Sequence, residues 1–319
     1  MKILVTGAFG FLGGRLAAHF LHEGHEVLLG TRRQITPKAA RLEHGTVVRI
    51  CWTDRRNLEE ACAGLDVIVH ASGMNAQDCA LDPVGALEVN TVATARLLGA
   101  ALTKGVRRFI YVSTVHVYTD YLHGTISEQS CPSNLHPYAA SAKAAEDVVL
   151  YAQKQKLIDG VVIRLSNGYG VPVHPTVNCW MLLVNSLCRQ VVETGQLRLS
   201  SDGSQVRDFI SMQEICAVVD FLACRTSLRT NIGGAGPVNV GSRTPRTVLE
   251  MADVVQARCK TTLGLATELV VKRNPDTPPS PRFDFRLQRL LSLGYKFVHD
   301  PTDEIDDLLR YCQREFSRS

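Results

Sequence analysis

Lys2-Ile3-Leu4-Val5-Thr6-Gly7-Ala8-Phe9-Gly10-Phe11-Leu12-Gly13 is the stretch that decides the fold. A short β-rich run meets three glycines spaced every third residue. Beyond it, Leu16, Ala17, Phe20 and Leu21 recur at helical spacing, Gly24-His25 stops the pattern, and Glu26-Val27-Leu28-Leu29 reads as a second strand. Strand, glycine turn, helix and strand make the βαβ setting that a dinucleotide loop requires. In such a loop Gly7 permits the tight turn, Gly10 lets backbone approach a pyrophosphate, and Gly13 lets the helix pack on the strand. The helix N-terminus then offers free N–H groups to the phosphates. The spacing is G-x-x-G-x-x-G rather than G-x-G-x-x-G. After the second strand, Gly30-Thr31-Arg32-Arg33 holds no carboxylate for a ribose. Arginine there suits a 2′-phosphate, which favours NADP over NAD.

The 319 residues suggest two domains at ~150 residues each. With 35 Lys and Arg against 31 Asp and Glu, and no basic cluster, nothing points to nucleic acid. Residues 165–188 lack Asp, Glu, Lys and Arg but carry Gly168, Gly170, Pro172 and Pro175, so they read as a loop and a buried helix rather than a membrane span. The N-terminal apolar run is too short for a signal peptide, and a cytoplasmic protein with reduced thiols is expected. None of the ten cysteines forms a C-x-x-C pair, and Cys216 and Cys224 fall in an apolar helical pattern, so no metal site is expected.

Further motifs carry a resemblance. Thr6 to Gly13, Asp54, Val67 to Gly73, Asn90 and Phe109 to Thr114 follow one another as in the extended short-chain dehydrogenase/reductase superfamily. So do Arg164-Leu165-Ser166-Asn167-Gly168-Tyr169-Gly170 and Asp202-Gly203-Ser204-Gln205-Val206-Arg207-Asp208-Phe209. The chain resembles the nucleotide-sugar epimerase and reductase branch of that superfamily over nearly its whole length. The resemblance implies a Rossmann-type α/β fold: a doubly wound parallel sheet over residues 1–165, then a smaller substrate-binding α/β domain over 166–319. Parts around 205–228 are expected to return to the first domain. It also implies that Gly7, Phe9, Gly10, Phe11, Leu12, Arg32, Arg33, Asp54, Ala71, Ser72, Gly73, Asn90 and Ser113 contact NADP or NAD. Asn75, Asn167 and Arg207 are expected to hold a nucleotide-sugar substrate, and a homodimer through the Asn90 and Tyr138 helices is expected.

The catalytic helix departs from this pattern. The superfamily pairs Tyr with Lys four residues on, where the ammonium lowers the phenol's pKa. Here Lys143 follows Tyr138 by five residues, while Glu146 keeps the family's eight-residue spacing. Ala142 therefore occupies the lysine position, and Lys143 is turned ~100° from it. A π-bulge could return Lys143 to the site, or His116, two residues beyond the catalytic Thr114, could assist Tyr138. The branch's dehydratases carry Asp-Glu after that Thr, whereas this chain has Val115-His116, which disfavours 4,6-dehydration. The expected activity is reduction or epimerisation at a sugar carbon, C-4 by resemblance. The alternative is a non-enzymatic dinucleotide-binding regulatory subunit.

Overall fold

In the computed structural model, residues 1–34, 39–225, 236–272, 281 and 283–317 are described below. The strands are β1 (Lys2–Thr6), β2 (Glu26–Thr31), β3 (Thr46–Arg49), β4 (Val67–His70), β5 (Arg108–Thr114), β6 (Gly124–Ile126), β7 (Asp159–Leu165), β8 (Asn167–Tyr169), β9 (Gln196–Leu199), β10 (Val206–Arg207), β11 (Phe209–Ser211), β12 (Val238–Val240), β13 (Arg246–Thr247), β14 (Glu268–Val271) and β15 (Phe283–Phe285). Seven of them form one parallel sheet in the order β12-β7-β5-β4-β1-β2-β3. Strands buried on both faces read as unbroken apolar runs, and Ile3 to Val5 and Val67 to Val69 are fully buried. The order reverses between β1 and β4, so their C-terminal ends open a crevice beside the glycine loop.

The helices are α1 (Phe11–His22), α2 (Arg55–Ala61), α3 (Ala76–Leu81), α4 (Pro83–Ala86), α5 (Ala93–Thr103), α6 (Pro137–Lys154), α7 (Leu183–Thr194), α8 (Met212–Cys224), α9 (Val248–Leu263), α10 (Gln288–Ser292) and α11 (Pro301–Phe316). One core layer joins β1 and α1 to α8 and to Val238 and Val240. The other face is filled by Leu97, Phe109, Val149 and their neighbours from α5, β5 and α6. A separate core gathers α7, α9 and α11 around Leu187, Val255 and Leu308. Residues 165–188, expected as a loop and a buried helix, run from the end of β7 through the short strand β8, which pairs with β11, and then a loop into the buried face of α7. Cys216 is buried as its pattern predicts, but Cys224 is exposed, because it falls on the solvent side of the last turn of α8. No helix among the described residues is long and apolar enough to cross a membrane.

Glu304 on α11 latches these layers together. Its buried carboxylate accepts from Arg15 of α1 at 2.7 and 3.0 Å, from the Val171 N–H at 2.8 Å and from the Gln213 N–H at 2.9 Å. Four donors on one carboxylate satisfy a charge that would otherwise be costly to bury. Segments 226–228, expected to return toward the first domain, lie outside the described residues.

Candidate active site

Gly7 takes φ +69°, and a Cβ there would lie 2.9 Å from the Ala71 carbonyl oxygen. At Gly13 a Cβ would stand 2.3 Å from the Gly7 oxygen, which only glycine avoids. Gly10 is the N-cap of α1 and supplies no side-chain cap, leaving the first-turn N–H groups open to an anion. Phe9 is buried, while Phe11 and Leu12 pack against the same core, so these residues offer backbone rather than side chains to the loop. Arg32 and Arg33 are exposed after β2, and their guanidinium groups have no bonded partner among the described residues. The open helix N-terminus at the glycine loop fits the pyrophosphate of a dinucleotide, and two exposed arginines follow the neighbouring strand.

Beneath the loop runs a buried relay. Thr94 donates to the Asn90 carbonyl at 2.5 Å, so it accepts from His70 Nε2–H at 3.0 Å. Nδ1 of His70 then accepts from the Thr6 hydroxyl at 2.7 Å, and Thr6 in turn accepts from the Ser72 N–H at 3.3 Å. Burial pushes the His70 pKa down to about 3 from an ordinary 6.5. As pH falls below 6.5 the unfolded chain takes up this proton first, so stability is full above 6.5 and declines toward about 3. The expected slope is roughly 1.4 kcal/mol per pH unit in that window. Urea denaturation across the acidic range should reveal it, and His70→Gln should flatten it. An unchanged slope in that variant would remove His70 as the cause.

Several predicted contact residues are engaged within the chain. Asp54 caps α2 through the N–H groups of Arg56 and Asn57 at 2.9 and 3.2 Å. Asn75 caps α3 and holds Asp78 at 2.7 Å. Asn90 is buried, accepts from the Met74 N–H at 2.8 Å and donates to Ser141 at 3.0 Å. It fixes the loop after β4 against α6 and sits in a π-helical turn over Leu87–Val92. Ser113 donates to the buried Glu146 at 2.5 Å, and Glu146 pairs with Arg164 at 2.6 Å.

Thr114 ends β5, and its hydroxyl lies beside the Tyr138 phenol, favouring the charged form. Burial outweighs that hydroxyl and pushes the phenol above its ordinary value. The π-bulge that could have returned Lys143 is absent: α6 is α-helical throughout, and the Lys143 ammonium pairs with Asp147 one turn on. Lys143 is therefore not brought to Tyr138, because five residues turn it to another side of a regular helix. Ala142 is buried in the small core around Val115, Val117 and Tyr118.

His116 stands just past Thr114, its N–H donating to the Thr114 hydroxyl at 3.2 Å. Burial, with the nearby Arg207 and His136, pushes its pKa down, so its imidazole is neutral at pH 7. His136 was not expected. It caps α6, accepting the Tyr138 N–H at Nδ1 over 3.1 Å, and His136-Pro137 ahead of the helix was its sequence signal. Arg207 is half-buried and bound only to Gln205, at 3.0 and 2.6 Å, with no carboxylate partner among the described residues. Asn167 is partly used, its amide donating to the Asp208 carbonyl at 2.9 Å. A cavity of about 550 Å³ lined by Tyr169, Arg243, Arg246 and Phe297 lies apart from Thr114 and Tyr138. Chemistry rather than void size therefore locates the site.

Comparison with known proteins agrees with this geometry. The profile of the NAD dependent epimerase/dehydratase family matches residues 3–241. A dTDP-glucose 4,6-dehydratase of Streptomyces niveus is 28% identical over 302 residues, covering 90% of this chain and 83% of that protein. The structure of TunA, an NAD dependent NDP-hexosamine 5,6-dehydratase involved in tunicamycin biosynthesis, superposes with TM-score 0.75 at 25% identity, over 100% of this chain and 99% of that one. A UDP-glucuronic acid 4-epimerase from Bacillus cereus, solved with UDP-glucuronic acid and NAD, shares the fold with TM-score 0.76 at 22% identity over 99% and 100% of the two chains. The glycine loop, the seven-stranded parallel sheet and the Thr114–Tyr138 pair thus belong to a member of the NAD dependent epimerase/dehydratase family.

Proposed function

We propose that this chain is an NAD(P)-dependent reductase or epimerase that transfers hydride at a carbon of a nucleoside-diphosphate sugar, C-4 by family resemblance. The observation that carries this reading is that Thr114, Tyr138, His116 and Arg207 lie near one another, with no counter-charge on Arg207 among the described residues. Bound at the glycine loop, the nicotinamide cofactor supplies the hydride acceptor or donor. Residues 1–165 would bind it, Arg32 and Arg33 favouring NADP, and the rest of the chain would close over the substrate. Tyr138, neutral at pH 7, donates its hydroxyl proton to a sugar oxygen that becomes a hydroxyl, and Thr114 orients the same oxygen. Asn167 and Arg207 hold the diphosphate. Val115 offers no acid or base where the branch's dehydratases carry Asp, so dehydration is disfavoured.

The decisive experiment is hydride transfer with NADPH and NADH against UDP-, GDP- and dTDP-linked keto-sugars. Charge-assisted hydrogen bonds are worth about 1.5–3 kcal/mol, so Arg207→Gln should raise KM by roughly ten- to a hundredfold. Unchanged KM would detach Arg207 from the substrate. Ala142 and the Lys143–Asp147 pair favour a second reading, a non-enzymatic regulatory subunit that keeps cofactor binding. Cofactor binding without turnover on any of these sugars would select it. A cytoplasmic homodimer fits both readings, since Leu81, Val84, Leu87 and Tyr151 leave exposed apolar side chains on the Asn90 and Tyr138 helices and the segments leading into them.

A further inference from the structure

At the N-terminal end of the central strands, the opposite end from Thr114, His25, Asp220 and Cys224 bring their donor atoms within 4.8 Å of one another. His25 stands in the turn before β2, fixed by its N–H to the Phe20 carbonyl at 3.0 Å and by its ring against Phe20. Asp220 and Cys224 are one turn apart on α8, so they project from the same side of that helix. His25 Nε2 is 3.7 Å from the Asp220 carboxylate, and the Cys224 thiol donates to the same carboxylate oxygen at 3.2 Å. In a tetrahedral zinc site, bonds of about 2.0–2.3 Å set neighbouring donors about 3.3–3.6 Å apart. These two separations bracket that spacing before any adjustment.

We propose that His25 Nε2, Asp220 and Cys224 Sγ form a site for one zinc ion, with water as the fourth ligand, stapling the start of β2 to the end of α8. One imidazole, one carboxylate and one thiolate are the donor types zinc takes, and two of them neutralise the dication. Without metal, burial and the neighbouring Asp220 hold the thiol protonated, its pKa pushed up to about 11. Binding replaces that S–H bond with S–Zn and releases the proton to solvent.

The surrounding charges leave room for the ion. Arg108 is committed to Asp159 and to the Leu222 and Ala223 carbonyls, and Arg107 to the Ala223 and Arg225 carbonyls. Glu23 is bonded to His22, and the Met1 amino group faces the other ring nitrogen of His25 at 3.3 Å. Zinc at Nε2 puts the ring proton on Nδ1, where the Met1 amino group accepts its hydrogen bond in the neutral form, so a second proton leaves to solvent on binding. His19 also senses the Asp220 charge, and its buried Nε2 has no partner among the described residues. No linear spacing announces this site, because its two halves lie on elements far apart in the chain.

The test uses the full chain with the exposed Cys51 and Cys131 changed to serine, stripped by chelation and titrated with Co²⁺. One equivalent should produce a sulfur-to-cobalt charge-transfer band with the intense visible bands of tetrahedral cobalt, and Zn²⁺ should abolish both. Zinc at about a hundred times its Kd should raise Tm by roughly 5 °C. Cys224→Ser should remove the charge-transfer band, and His25→Ala should weaken binding at least tenfold, with metal-free Tm unchanged in each. No band in the parent, or a band that survives Cys224→Ser, would overturn the proposal. The parent titration decides the first point even if a variant fails to fold.

Discussion

Tyr138→Phe should lower turnover about 10²–10⁴-fold, the range for removing a positioned general acid, while cofactor and substrate affinities change little. Family members set the phenol beside a lysine, and here Ala142 fills that place while Lys143 serves Asp147. Burial then holds the phenol above its ordinary pKa. A neutral phenol gives a proton but does not readily take one, so the wild-type site is biased toward reduction. Its rate should stay flat through neutral pH and fall only as the phenol ionises at alkaline pH. Ala142→Lys should shift that alkaline limb downward and speed the oxidative direction, although Ala142 lies in a tight core and the variant will lose stability. Equal turnover by wild type and Tyr138→Phe would dismiss the phenol as proton donor. Steady-state rates in both directions across the pH range supply the measurement.

Glu146→Ala should destabilise the fold by about 3–5 kcal/mol, because it leaves Arg164 charged and buried without its partner. Glu146 is fully buried and Arg164 nearly so, with the guanidinium stacked 4.6 Å from the Tyr118 ring centroid. Three bonds of 2.6 to 3.2 Å join the pair, and Ser113 adds a fourth. The network ties α6 to β5 and β7 at the level of Thr114, so loss of stability should accompany loss of the site's alignment. The unfolding temperature should fall by roughly 6 °C. Glu146→Gln, which keeps the shape and some hydrogen bonds, should cost less. A Glu146→Ala protein within about 1 kcal/mol of wild type in chemical denaturation would contradict this account.

Much of the site was legible in the sequence where it depends on neighbours along the chain. The glycine turn needs only Gly7, Gly10 and Gly13 in order, and the absent lysine is visible because Glu146 preserves the helical register around Ala142. The structural roles that the expected contact residues also play within the chain were not legible in the same local reading. Asn90 carries all the marks of a cofactor contact, and its amide also bonds Met74 and Ser141. Asp54 and Asn75 likewise cap helices, a role set by the backbone immediately after them.

The sequence alone therefore determined the βαβ start, which follows from spacing along one strand, turn and helix, and its resemblance to the superfamily implied the parallel sheet and the loss of lysine beside Tyr138. Only the tertiary structure decided that His116 senses the charges of His136 and Arg207, that Glu304 latches α11 to Arg15, and that His25 faces Asp220 and Cys224. Those meetings depend on strand order and helix packing, which bring together residues that no periodicity connects.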